Sequence, residues 1–320
     1  MAIKTPLCDL LGIEHPVMLA GMGGVSFSAV CGAVSAAGGF GTLGMMGLKA
    51  DEIRAEIHRV REITDKPFGV DMLAAYPKSL AMAVDIVIEE KVKAFVSGLG
   101  IPEEMVGKLH DAGVLVINMC GTVRHAVKAA EAGCDLVVAQ GTEGGGHTGR
   151  VAGMALLPQI IDAVDIPVVA AGSIYDGRGL AAALALGADG IWMGTRFIAS
   201  TEAHAGQLYK ESIVTARDED TIVTKCYSGK PMRVLRNPYV EDWESRPEDI
   251  LPFPDMGRFS KANNVLGGVD GNLNALDADR DCMPCGQGAG GIGEILSCAD
   301  IVNGVVAEAE ATIGRIAKLG

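Results

Sequence analysis

Residues 114–140 read VLVINMCGTVRHAVKAAEAGCDLVVAQ, and this stretch holds the unit from which most of the chain is built. An apolar run over 114–119 leads through a turn into an amphipathic stretch, 122–132, with apolar residues at helical spacing. Gly133 then leads into a second apolar run, 135–140. Both runs lack the alternation of a half-exposed strand, as expected of strands buried on both faces of a parallel sheet. The stretch between them is long enough for one crossover helix.

Working outward, the same unit recurs from His15 to about Phe197, with further strand-like runs at 15–20, 40–44, 68–73, 94–98, 167–172 and 190–194. Helical stretches such as 51–62 and 177–186 lie between them. Eight strands fit either a (β/α)8 TIM barrel or an open doubly wound sheet. The count of eight, and the lack of an early GxGxxG turn followed by an acidic residue, favour the α/β barrel. A faint internal echo agrees with it: AGCDLV at 132–137 and LGADGI at 186–191 each lead from a helix end through Gly and Asp into a strand.

After Ala203 the pattern changes to charged, Pro-rich text and then to a Gly/Asn/Asp-rich stretch. The chain is therefore read as a barrel over 1–215, an inserted subdomain over 216–288 that covers one barrel mouth, and a return over 289–320. Within the last part, 297–318 has the pattern of an amphipathic helix started by Ser or Asp.

The net charge of −13 argues against nucleic acid as a partner, because phosphate backbones are bound by clustered Lys and Arg. Any anionic ligand must be held locally. Hydrophobic residues make up 49% of the chain, yet no run of the length of a membrane span is free of Gly breaks and charges. The first residues lack the basic-then-apolar pattern of a secretory signal, so a cytoplasmic protein is expected. Three of the eight cysteines, Cys31, Cys120 and Cys134, sit in apolar runs where they pack as small hydrophobes, which suits a reducing compartment. The 43 glycines imply tight turns and close backbone approaches.

In a β/α barrel, ligands sit at the C-terminal ends of the strands, often with a phosphate between the loops after strands seven and eight. Those loops here are AGSIYDGRG at 171–179 and MGTR at 193–196. Each offers backbone amides, a hydroxyl and an Arg. Glycines also serve simply to tighten βα turns, but the pairing of two such turns at the two expected places points to a phosphate. After strand six comes QGTEGGGHTGR at 140–150, where three glycines let the backbone pass close to a flat ligand and present the imidazole of His147, a plausible general base. A lone His is more often an incidental hydrogen-bonding residue; its place at a strand end inside a Gly-rich loop favours a functional one. The first strand ends in Ala20, Gly21, Met22, Gly23 and Gly24, small enough to line one side of a planar ring or merely to turn. His15, His58, His125 and His204 read as surface or capping residues. The CxxC at Cys282 and Cys285 has no second ligand pair nearby, so no metal site is expected.

Taken together, FGVD at 68–71, AQG at 139–141 leading to GGHTG at 145–149, AAGSI at 170–174 with DGRG at 176–179, and GTRF at 194–197 resemble the nitronate monooxygenase family. This family, formerly 2-nitropropane dioxygenase, is closely related to the FMN-dependent enoyl-acyl-carrier-protein reductase II. The resemblance covers about 8–240 and returns at Gly286, Gln287 and Gly288. It implies an FMN-binding barrel with a smaller second domain. Position by position, it puts Ala20, Gly21 and Met22 against the isoalloxazine, Gly146 at the flavin, and Gly172, Ser173, Gly194 and Thr195 on its phosphate. Gln287 and Gly288 fall at the pocket, and His147 matches the family's catalytic base. Asp71 stands near the flavin's pyrimidine edge where relatives usually have Asn; Met119 replaces a residue that is often basic, and Ser173 replaces a Gly. An ionised Asp accepts hydrogen bonds but cannot donate them, which would alter the flavin contacts.

Three functions follow for comparison. In the first, a nitronate is oxidised with O2 and His147 takes the proton α to the nitro group. In the second, NAD(P)H reduces the flavin, which reduces an activated C=C of an acyl thioester. In the third, the barrel only binds an anionic metabolite. Gln140, where reductases of the second kind often carry an acidic residue, tilts the reading to the first, an FMN-dependent monooxygenase acting on a small molecule. A homodimer is compatible with it, and a membrane or nucleic-acid partner is not.

Overall fold

The computed structural model describes residues 3–271, 273 and 275–319. Each of the eight apolar runs forms a parallel strand close to its predicted limits. They are β1 (Val17–Leu19), β2 (Gly41–Gly44), β3 (Phe68–Leu73), β4 (Ala94–Gly98), β5 (Leu115–Cys120), β6 (Leu136–Gln140), β8 (Val168–Ala171) and β9 (Gly190–Met193). A two-residue strand, β7 (Gly146–His147), stands outside this sheet.

The strand order is β1-β9-β8-β6-β5-β4-β3-β2, and the two ends meet. Phe40 N donates to Val17 O and Leu19 N donates to Phe40 O, both at 2.9 Å. The open-sheet alternative would leave β1 and β2 as edges; the Phe40 bonds join them into a (β/α)8 barrel.

Because every strand is covered on both sides, two cores form. Inside the barrel, Met18, Phe40, Val96, Ile117, Val138 and Val169 are buried together. The opening at the strands' N-terminal end is plugged by the helix Pro6–Leu11, whose Leu7 and Leu11 are wholly buried in that cluster. Outside the barrel, alternate strand residues such as Val17, Leu19 and Val137 pack against the ring of helices.

The echo seen in the sequence has a structural counterpart. Asp135 Oδ2 accepts from Val116 N at 2.7 Å, and Asp189 Oδ2 accepts from Val168 N at 3.0 Å. In each case the Asp backbone N–H also donates to the carbonyl of that same residue. Each Asp thus clips the start of its own strand to the start of the preceding barrel strand. Gly133 and Gly187, with φ of +89° and +99°, make the left-handed exits that lead into the two clips.

The C-terminal helix, Cys298–Ile316, starts at Ser297, whose side chain accepts from Asp300 N, and it lies along the helix Gly177–Ala185. The contact is close: a β-carbon on Gly177 would come within 2.4 Å of Ala309 N and Val305 O.

Two strands in the 216–288 stretch, β10 (Thr221–Thr224) and β11 (Met232–Leu235), had no clear sequence signal. They pair antiparallel, and β11 also pairs antiparallel with β7, matching Met232 to His147 and Arg233 to Gly146. A separate core holds this part together, with Tyr227, Val234, Val240, Trp243, Met256 and Cys282 buried in it. The His147 loop, though it leaves a barrel strand, therefore takes its conformation from the later stretch. Among the described residues, no helix is long and apolar enough to cross a membrane.

Candidate active site

Apart from Gln287 and Gly288, which come from the later stretch, the expected site residues lie on the C-terminal halves of the strands or in the loops that follow them. Ala20 N donates to Met193 O at 2.9 Å, which carries β1 past its ladder and sets the direction of the loop after it. Ser26, fully buried, holds that loop: its Oγ accepts from Met22 N at 2.7 Å and donates to Met22 O at 3.2 Å. Gly21 has no room for a side chain, since a β-carbon there would lie 2.3 Å from Asp71 Cβ and Oδ2. Asp71 is held opposite Gly44 of β2 and Val96 of β4. Its Oδ1 is sealed from solvent and has no hydrogen-bond partner among the described residues. Burial alone pushes this carboxyl up to about 8.

The loops after β8 and β9 lie together at this mouth, but their basic residues are engaged elsewhere. Gly172, at φ +113°, and Ser173, at φ +54°, turn the chain after β8. Ser173 thus lies in a region that non-glycine residues seldom occupy. Its hydroxyl offsets the cost, donating to Glu143 O and accepting from Gly288 N, both at 2.9 Å. Thr195 Oγ1 accepts from Gly286 N at 3.0 Å, and Gln287 N donates to Glu143 O at 3.0 Å. Gly286, Gln287 and Gly288 are thereby laid across the loops that follow β6, β8 and β9. Met22 Sδ would be 3.3 Å from a β-carbon on Gly194, so the β1 loop closes onto the same place.

Arg196 is buried and donates to Ala199 O at 2.7 Å and Glu294 O at 2.6 Å, a structural role. Arg178 is exposed and pairs with Asp176 and Glu308. The amide groups that begin the helix Gly177–Ala185 are also taken: Gly179 N donates to Asp176 Oδ1 and Gly177 N to Glu308 Oε2. A phosphate at this mouth therefore has the backbone of 172–173 and 194–195 to bind to, and neither the two arginines nor that helix start, as the 171–179 motif had implied.

His147 is fixed from both sides. Behind it, Gln140 Nε2 donates to His147 O at 3.2 Å and reaches Gly145 O at 3.5 Å. Gly146, at φ +71°, makes the bend that lets His147 pair with β11. In front, its Nε2 lies 3.0 Å from Ser228 Oγ. The Ser228 hydroxyl donates its one proton to Lys230 O at 3.1 Å and also accepts from Lys230 N at 3.2 Å. When that proton goes to Lys230 O, the bond between His147 and Ser228 is donated by Nε2–H and Nδ1 is the bare nitrogen. Burial, and then the nearby Lys230 ammonium, lower the imidazole to about 4, so it is neutral at physiological pH. Lys230 Nζ itself sits 4.2 Å over the Phe253 ring, and Phe253 meets Tyr76 edge-on across the mouth.

Sequence reasoning did not pick out Ser26, Ser228 or Lys230. None of them lies in a motif, and only the fold brings the last two to His147. His204, expected at the surface, is half-buried; its Nδ1 is 3.0 Å from Gly24 O and its ring packs edge-on against Phe27. Cys282 and Cys285 lie in different cores. Among the described residues, no three His, Cys, Asp or Glu side chains gather as a metal site.

Comparison with known proteins places this geometry. A CoA-ester dehydrogenase of Rhodococcus jostii, (3aS,4S,5R,7aS)-5-hydroxy-7a-methyl-1-oxo-octahydro-1H-indene-4-carboxyl-CoA dehydrogenase, is 36% identical over 99% of this chain and 98% of its own. A probable nitronate monooxygenase of Staphylococcus saprophyticus is 33% identical over 85% of this chain and 90% of its own. Among solved structures, FabK from Thermotoga maritima superposes with a TM-score of 0.90 at 36% identity, covering 99% of this chain and all of that one. The nitronate monooxygenase family model matches residues 4–83 and 78–308. With its closed barrel and His147 at the mouth, the chain belongs to the nitronate monooxygenase family and is an oxidoreductase.

Proposed function

We propose that the barrel mouth holds FMN and that the enzyme works on the carbon α to an electron-withdrawing carbonyl or nitro group, with His147 Nδ1 as the proton acceptor. The observation that carries this is a neutral His147, anchored by Ser228 at the barrel mouth beside a cation, so that an unprotonated imidazole and a counter-charge for a developing anion stand together. The residues present fit a flavin. Gly146 has open space where a side chain would stand, so a flat ring can approach the backbone there, and the partnerless Oδ1 of Asp71 is a buried polar atom that a bound ring would satisfy. Ala20, Gly21 and Met22 would lie along the ring, Gly146 near it, and Gly172, Ser173, Gly194 and Thr195 around its phosphate. Gln287 and Gly288 would close the pocket from the 216–288 stretch, which we regard as an inserted cap on a barrel of about 1–215.

When bound, FMN supplies the acceptor or donor of an electron pair. The protein's part is to position and to move the proton. Gln140 and β11 set the height of His147, and Ser228 fixes which nitrogen is bare. Lys230 stabilises negative charge as it develops on the carbonyl or nitro oxygen. The Tyr76 and Phe253 rings shield the mouth from water.

We put an acyl thioester first as the substrate class. The sequence preference for nitronates rested on Gln140, and that amide is used on the His147 loop, a task independent of the substrate. Support for a thioester comes from the Rhodococcus CoA-ester enzyme, which matches nearly end to end, and from FabK, related to enoyl reductases. Nitronate oxidation with O2 is the second reading, supported by the matched family itself. Anaerobic titration of the yellow protein tests the choice. Bleaching by a saturated acyl-CoA, whose α-proton goes to His147, is the expected result, as is its reverse, reoxidation by an enoyl-CoA after reduction with NADH or NADPH, in which the same imidazole returns a proton to the α-carbon. Bleaching by propyl-2-nitronate with no response to any thioester would overturn it. In either chemistry His147→Ala should lower turnover of the carbon acid by about 100-fold or more, and less on a preformed anion.

A further inference from the structure

Asp71 is an acidic residue on a barrel strand, beside Gly21, at a position where the family resemblance implies Asn. On the strands and loop packed around it, β2, β4 and residues 20–24, there is no titratable side chain, and on β3 itself Asp71 is the only one. Beyond it on the exit from β3, the first titratable group is Tyr76. Among the described residues no cation faces the carboxyl, its Oδ1 is sealed and unpartnered, and its other side rests on Gly21. Asp71 is half-buried, and a flat ring laid over the mouth would take the rest of its carboxyl out of water; a carboxylate there would be an unpaired charge in an apolar wall, whereas a carboxylic acid is a polar group that the ring can satisfy.

We propose that Asp71 works as a carboxylic acid, donating its proton in a hydrogen bond to an acceptor atom of the flavin ring, and so does the work of the amide N–H that Asn supplies in relatives. This rests on the FMN reading above. It reverses the expectation that an Asp here could only accept. The shift of the carboxyl to about 8 is the consequence of the same surroundings, and it sets where the donor is lost. Raising pH through that value ionises the free protein's Asp71 and removes the donor before FMN can bind.

The test is FMN affinity of the apoprotein, read by quenching of flavin fluorescence, for wild type and Asp71→Asn. Between about pH 7 and about pH 9 the wild-type Kd should weaken about tenfold, while D71N stays within about twofold. Equal behaviour of the two proteins would overturn the proposal. A protein that takes up FMN at no pH would instead overturn the cofactor reading, and with it any donation to flavin. Should D71N fold poorly, infrared spectroscopy of the wild-type apoprotein and holoprotein is the second measurement. A protonated carboxyl band at neutral pH, lost on alkaline titration of the apoprotein and shifted by FMN, supports the acid; its absence at neutral pH overturns it.

Discussion

The imidazole of His147 and the hydroxyl of Ser228, 81 residues apart in the chain, meet at 3.0 Å, and the direction of that bond decides which nitrogen can act as a base. Ser228→Ala removes the acceptor of Nε2–H without adding bulk. The two neutral tautomers then compete and the ring gains a rotation. Turnover should fall about tenfold with little change in FMN binding, measured as kcat beside flavin content. Unaltered kcat would show that Ser228 does not set the tautomer.

Lys230 acts on the same ring through its charge. Its ammonium helps to hold the imidazole at about 4, so Lys230→Met should raise that value towards the ordinary one near 6.5. The sign follows directly. A base must be unprotonated to work, so the acid limb of the kcat/KM profile, expected near pH 4 in the wild type, moves to higher pH in K230M. At neutral pH the variant should also lose about tenfold in kcat/KM, because the developing anion loses its counter-charge. A pH profile superimposable on that of the wild type would separate Lys230 from His147.

The phosphate turn can be tested without touching a side chain. Gly172 has φ +113°, where an added methyl strains the backbone by about 1–3 kcal/mol and faces Gly141 at 3.3 Å. Gly172→Ala is expected to weaken FMN retention by about tenfold or more while leaving the far-ultraviolet circular dichroism unchanged. Retention at the wild-type level through gel filtration would argue against a phosphate at this turn.

Gly177 tests the packing of the last helix. A methyl there meets the backbone at Ala309 and Val305 at 2.4 Å, which flexible side chains cannot relieve. Gly177→Ala should therefore destabilise the fold by about 1–3 kcal/mol in urea denaturation. An equal or higher midpoint would mean that the two helices separate at no cost.

The barrel was legible because its strands are local and continuous. Each run such as DLVVAQ at 135–140 is apolar throughout, and the helices between have a clear period. The Gly-rich turns after β6, β8 and β9 were legible for the same reason: each lies whole within a few residues. The rest of the site was not, because it is made by pairing across long separations. β7 has two residues and no period of its own, and it becomes a strand only because Met232 and Arg233 lie beside it. Arg196 and Arg178 show the converse failure. Their place in the motif suggested phosphate, but burial turned one to carbonyls and two carboxylates held the other. Asp71 was visible as a departure from the family pattern, yet its protonation depends on surroundings that the sequence does not display.

The pairing of β7 with β11 divides inheritance between two parts of the chain. The cradle assigned to the cofactor is made almost wholly by barrel loops, whereas the orientation of His147 is set by a strand within the 216–288 stretch. Changes in that stretch can re-aim the base, exchange Lys230 or reshape the Phe253 wall while the barrel keeps its hold on the cofactor. On the proposed function, one scaffold would in this way diverge towards thioesters or nitronates by altering a separately packed segment, and chimaeras that exchange 216–288 between relatives would carry substrate preference with them.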